Sequence, residues 1–95
     1  MIKRFRLRFG KAHRAAMDYK DFLKSTYWHK VRHAKFNQLR RQQKTQSPFC
    51  QLCHSRHRLE MHHNTYAHRG DELNHLEDLT LLCHDCHDWH HNRKP

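Results

Sequence analysis

The sequence predicts a small α+β domain in which a metal-bound module follows an N-terminal helical extension. All four cysteines fall in two CxxC pairs, Cys50-Gln51-Leu52-Cys53 and Cys83-His84-Asp85-Cys86, with 29 residues between them. Histidines crowd the same stretch, as His62-His63 and then His87 and His91. The chain has 95 residues and a hydrophobic share of 36%, below the roughly 45–50% of ordinary domains. At this length an apolar core leaves a thin stability margin, so a further cross-link is expected.

Charge divides the chain. Residues 1–47 carry 14 Lys/Arg against 2 Asp/Glu, and residues 48–95 carry 5 against 7. A basic half beside a nearly neutral one suits a polyanion, because each phosphate neutralised by a cation releases condensed counterions. The plainer reading is a solvated basic face. No stretch approaches the roughly 18 apolar residues of a membrane-spanning helix, and no continuous apolar leader precedes the cysteines. A soluble, cytoplasmic protein with reduced, metal-binding thiols is therefore expected rather than a disulfide scaffold.

Taken in order, residues 1–17 read as a basic arm. Ile2 to Phe9 alternate apolar and basic, which puts Arg4, Arg6 and Arg8 on one face of an extended segment suited to a phosphate backbone. Residues 18–47 read as a helical extension. Asp18 and Ser25 are N-cap residues for two successive helices, Tyr19, Phe22 and Leu23 form the apolar face of the first, and Trp28, Val31 and Leu39 share a face of the second from Thr26 to about Lys44. Lys35 interrupts that face. The opposite face carries Lys30, Arg40 and Arg41, available to nucleic acid. Ser47-Pro48 ends the extension.

Within residues 48–95, Phe49 to Cys53 is expected as a short strand ending in a knuckle turn, pairing with a returning strand at Leu59 to His62. Residues 64–76 read as a loop, Asp78 to Leu82 as a turn of helix, and Cys83 to about Asn92 as a further helix. Arg58 and Arg69 are candidate phosphate contacts.

The cysteine spacing is a strong zinc signal. A two-residue gap lets one turn present both thiolates of a pair, and four thiolates satisfy a tetrahedral Zn²⁺ completely. Such an ion is structural, and a catalytic one needs other ligands. His87 and His91, at i and i+4, share a helix face, and His62 is a third candidate. His84 and His90 also satisfy the spacing. Three imidazoles leave positions for water and phosphate on a divalent ion. His63 faces the other side of the strand from His62 and, with an ordinary pKa of about 6.5, suits a general base. His75-Leu76-Glu77 ahead of Cys83 faintly suggests a zinc deaminase, but the spacing is wrong and one CxxC pair would be surplus.

The set Cys50-x-x-Cys53, Leu59-Glu60-Met61-His62-His63, Asp78 to Cys83, Cys86-His87 and His91 resembles the HNH (His-Asn-His) endonuclease family in its zinc-containing form. The resemblance spans about residues 49–91, with a weaker match at Tyr27-Trp28 to Arg32. It implies a ββα-metal, treble-clef-like module that hydrolyses DNA phosphodiester bonds. His62, His87 and His91 would hold one catalytic ion (Mg²⁺, Mn²⁺, Ni²⁺ or Zn²⁺), Cys50, Cys53, Cys83 and Cys86 the structural Zn²⁺, and His63 would be the base. The family's middle Asn falls on Asp78, which would orient the base as an acceptor without the amide donor. Asn64 and Asn74 are further candidates for that task. Double-strand cleavage from one site per chain would call for a homodimer or a larger phage or mobile-element assembly. A non-catalytic zinc module that binds nucleic acid is the competing reading.

Overall fold

A computed structural model describes Arg14 and residues 17–92 of the chain. The basic positions Arg4, Arg6 and Arg8 lie outside the described residues. The architecture is a small α+β arrangement: α1 (Tyr19–Leu23), α2 (Thr26–Gln43), β1 (Leu59–His63), two 3-10 turns (Glu72–Asn74 and Leu76–Asp78), β2 (Leu79–Cys83) and α3 (His84–Asn92). Among these residues no helix is long and apolar enough to cross a membrane.

Both helix starts follow from their caps. The Asp18 carboxylate accepts the Lys20 N–H at 3.2 Å, and the Ser25 hydroxyl accepts the Trp28 N–H at 3.1 Å while donating to the Phe22 carbonyl at 2.6 Å. One serine therefore ends α1 and begins α2. The second helix stops at Lys44, which turns left-handed at φ 54° and donates its N–H to the Arg40 carbonyl. Gln43 then ties the helix end to the cysteine module, because its side-chain amide donates to the Phe49 carbonyl and accepts the Phe49 N–H at 3.0 and 2.9 Å.

The two strands pair antiparallel, with Leu59 opposite Cys83 and His63 opposite Leu79. Side chains alternate across a strand, so this hairpin has two faces. On one, Leu79 and Met61 join Phe22, Trp28 and Val31 in the larger core cluster. Leu82 joins Cys50 and Cys83 in a second cluster that Leu59 and Cys86 flank. Each fully buried large side chain contributes about 1.5–3 kcal/mol by leaving water. Lys35, in line with this core, is 4% exposed. Its ammonium donates to the Leu76 carbonyl and to Gln38 at 3.0 Å each, and burial pushes its pKa down.

Two sequence expectations are corrected. Phe49 to Cys53 is a turn and does not pair with Leu59 to His62: Cys50 donates to the Ser55 carbonyl, His54 donates to the Cys50 carbonyl, and the segment folds back within five residues. Leu79 to Leu82 is not helical, since Leu79–Cys83 is the strand that pairs with β1 and Asp78 ends the 3-10 turn before it. A five-residue apolar run has no periodicity that separates a buried strand from a helical turn, and here both of its faces are packed.

Candidate metal centres

The four cysteine sulfurs all lie within 4.8 Å of one another, and Cys53 and Cys83 approach to 3.6 Å. Tetrahedral Zn–S bonds of about 2.3 Å place sulfurs about 3.8 Å apart, so the set fits zinc. Local backbone explains the convergence. The Cys50 sulfur accepts the N–H groups of Leu52 and Cys53, and the Cys83 sulfur accepts that of Cys86, each at 3.4 Å. Burial would raise the Cys50 thiol, but the peptide N–H groups of Cys53, Cys83 and Leu52 more than offset it and bring it down to about 6. The first knuckle is anchored to β2 by Gln51, whose N–H donates to the Leu81 carbonyl and whose side-chain oxygen accepts the Leu81 N–H, both at 2.8 Å.

The second cluster joins β1 to α3. Ring nitrogens of His62, His87 and His91 also lie within 4.8 Å of one another, and Nε2 of His87 faces Nε2 of His91 at 2.8 Å. Two imidazole nitrogens this close are arranged to share a proton or a cation. Of the histidines that spacing left open, His91 converges with this set. His84 instead sits between Glu60 and Asp88, at 3.0 and 3.2 Å, and the His90 ring packs edge-on against His62 at 4.7 Å. His62 is buried. Its desolvation, together with the nearby His90, His87 and His91, lowers its pKa to about 4, so the ring is neutral near pH 7.

Glu60 is a site residue that sequence reasoning missed. Its carboxylate accepts from Nδ1 of His87 at 2.6 Å and from Nδ1 of His84 at 3.0 Å, and these two imidazoles hold its own pKa below the usual range. A carboxylate behind a ligating histidine fixes its tautomer and aims the other nitrogen. The signal was present: Glu60 and His62 are two apart on one strand and therefore share a face.

His63 does face away from His62, and its surroundings differ from those of a solvent-reached base. Its side chain is 1% exposed and its Nε2 lies 3.0 Å from the equally buried Glu72 carboxylate. Trp28 and Tyr66 stack on the ring at centroid distances of 5.1 and 4.9 Å, and its Nδ1 is buried without a partner. Glu72 is held in turn by the Gly70 N–H at 2.9 Å. Burial works against its ionisation, but the hydrogen bonds from His63 and from the backbone outweigh it and lower the pKa. No sequence pattern marked Glu72, whose partner lies across a loop.

Asp78 does not orient His63. Its carboxylate is 2.6 Å from Nδ1 of His68, whose ring stacks on His75 at 3.6 Å, while the Asp78 carbonyl accepts the Asn64 N–H at 2.7 Å. Asn64 is itself committed to the Thr80 hydroxyl, and the Asn74 amide to Asp71.

Among the basic candidates, Lys30, Arg41 and Arg58 are exposed. Arg40 is partly committed to the Gln46 carbonyl and Asn37. Arg69, the remaining candidate phosphate contact, is used inside the fold: it donates to the Met17 carbonyl and lies over the Tyr19 and Phe22 rings at 5.4 and 5.1 Å. Comparison with protein-family models, curated proteins and solved structures finds no match to this chain.

Proposed function

We propose that the chain is a metal-dependent endonuclease of the HNH type that hydrolyses DNA phosphodiester bonds, with a structural zinc in its four-cysteine site. The observation that carries this reading is the convergence of His62, His87 and His91 within 4.8 Å, with Glu60 behind His87. Three imidazoles suit a divalent ion with open positions. The order strand, strand, helix also agrees with the ββα module that the sequence resemblance implies. Bound there, Mg²⁺, Mn²⁺, Ni²⁺ or Zn²⁺ supplies stabilisation for charge on the phosphoryl group and the leaving 3′ oxygen.

The chain's own residues divide the remaining work. Glu60 orients His87, while His62 and His91 complete the ligand set. His63 accepts the proton of the attacking water, and Glu72 holds its imidazole in the role the resemblance gives the middle residue of the motif. Tyr66 is 56% exposed whereas Trp28 and Glu72 are buried, so in this reading water reaches His63 from the Tyr66 side. Asp78 braces the loop through His68.

Plasmid nicking tests the proposal. Zinc-loaded protein is expected to relax supercoiled DNA with at least one of Mg²⁺, Mn²⁺ or Ni²⁺, and His63→Gln to abolish this with zinc content unchanged. Failure to nick with any ion refutes the nuclease. The enclosure of His63 specifically favours a second reading, a non-catalytic zinc module that binds nucleic acid. DNA binding without nicking would establish that one.

A further inference from the structure

A groove of about 370 Å³ opens beside the histidine cluster. Tyr19, Trp28 and Arg32 line it from α1 and α2, and Glu60, Met61 and His87 from β1 and α3. That volume is at the low end of the roughly 300–1,000 Å³ of small-ligand clefts, which suits one nucleotide unit rather than a large ligand. Neither function discussed above uses Arg32.

Three features indicate the chemistry of the occupant. Arg32 is exposed, and no hydrogen bond or ion pair engages it among the described residues, so its guanidinium is free for an anion. The 18 residues of α2 include Lys30, Arg32, Arg40 and Arg41 outside the core and no Asp or Glu, so the helix presents positive charge without internal neutralisation. Tyr19, at 39% exposure, supplies an aromatic surface on the same groove. Glu60, the acidic residue of the lining, is already engaged by His84 and His87. Cationic and aromatic groups side by side are the requirements of a nucleotide: the phosphate pairs with guanidinium, and the base packs on a ring.

We propose that this groove is a DNA subsite that takes the nucleotide next to the one at the histidine cluster, with Arg32 on its phosphate and Tyr19 against its base. The assignment rests on the nuclease reading for its direction, since His87 belongs to both the groove and the ligand set. Its physical content is a binding contact and can be measured separately from cleavage.

The test is fluorescence anisotropy of a labelled 12-nucleotide single strand and the matching duplex, titrated with zinc-loaded full-length chain at several salt concentrations without added catalytic ion. Arg32→Ala is expected to weaken binding about tenfold and to reduce the slope of log affinity against log salt by roughly 0.7 on the single strand or 0.9 on the duplex, the loss of one phosphate contact. Arg32→Lys is expected to restore the slope, and Tyr19→Ala to weaken affinity with the slope retained. Thermal unfolding of each variant controls for folding, which an exposed and unengaged Arg32 does not support. Wild-type affinity and slope in Arg32→Ala overturn the proposal, as does a wild-type chain that binds neither DNA. A chain that cuts no plasmid but shows the Arg32 dependence sustains the groove and defeats the nuclease reading. One that cuts plasmid with unchanged binding in Arg32→Ala does the reverse.

Discussion

Replacing Glu60 by Gln isolates the contribution of one carboxylate to the histidine cluster. In the native chain both carboxylate oxygens accept imidazole N–H groups, at 2.6 Å from His87 and 3.0 Å from His84. Gln keeps the size, removes the charge and leaves a single acceptor, so at least one imidazole loses its anchor. Loss of an outer carboxylate partner typically lowers metal affinity about 10–100-fold, equivalent to about 1.4–2.8 kcal/mol. The Glu60 side chain is 38% exposed, and water screens part of the interaction, which places the expected effect near the lower limit, about tenfold. Calorimetric titration of Ni²⁺ into zinc-loaded protein measures it directly. Zinc content should match the native chain, while loss of the two imidazole contacts should lower thermal stability modestly. A Kd for Ni²⁺ within twofold of native would refute the idea that Glu60 organises a metal-binding His87.

Removal of zinc by a strong chelator is expected to unfold the chain, since structural Zn²⁺ supplies about 10–16 kcal/mol in small domains against a usual net stability of about 5–15 kcal/mol; an unchanged circular dichroism spectrum in metal-free protein would contradict this. Glu72→Ala strands a buried imidazole without its hydrogen-bond partner and is expected to cost about 1–3 kcal/mol, seen as a melting temperature at least about 4 °C lower; a shift under about 2 °C would mean that the His63–Glu72 pair adds little. Acid should destabilise the fold in two stages. His62 has a folded pKa of about 4 against an ordinary value of 6.5, so the unfolded chain binds more protons in that interval and stability falls as pH drops through it. Glu60 and Glu72 have depressed folded values, so their contribution is complete above the ordinary carboxylate value of 4.5 and is lost as pH falls through the lower folded values. Denaturant midpoints measured from pH 7 to 3 that stay constant would contradict both assignments.

Short-range features were legible in the residues. Asp18 and Ser25 cap the helices that their side chains predicted, because a cap depends on only three or four neighbours. The CxxC pairs converge for the same reason: each pair is held by its own backbone N–H groups. His87 and His91 follow from helical spacing. By contrast, the partner of β1 was misassigned to Phe49–Cys53, since hydrophobic pattern identifies a strand face without naming the strand beside it. Asp78 and Arg69 were given functional tasks from type and position, and both are engaged by neighbours that no spacing rule identifies.

By itself, then, the sequence determined the two cysteine and histidine groups that could hold metal, the N-caps of the first two helices and the alternation that sends His62 and His63 to opposite faces. Only the tertiary structure decided that β2 pairs with β1, that Glu60 stands behind His87, that Glu72 encloses His63 with Trp28 and Tyr66, and that Arg32 borders a groove beside the histidines. The reason is the range of the interactions. Backbone geometry links residues up to four apart through fixed periods, whereas Glu60 to His87 and Arg32 to His87 are brought together by packing, which has no period to read.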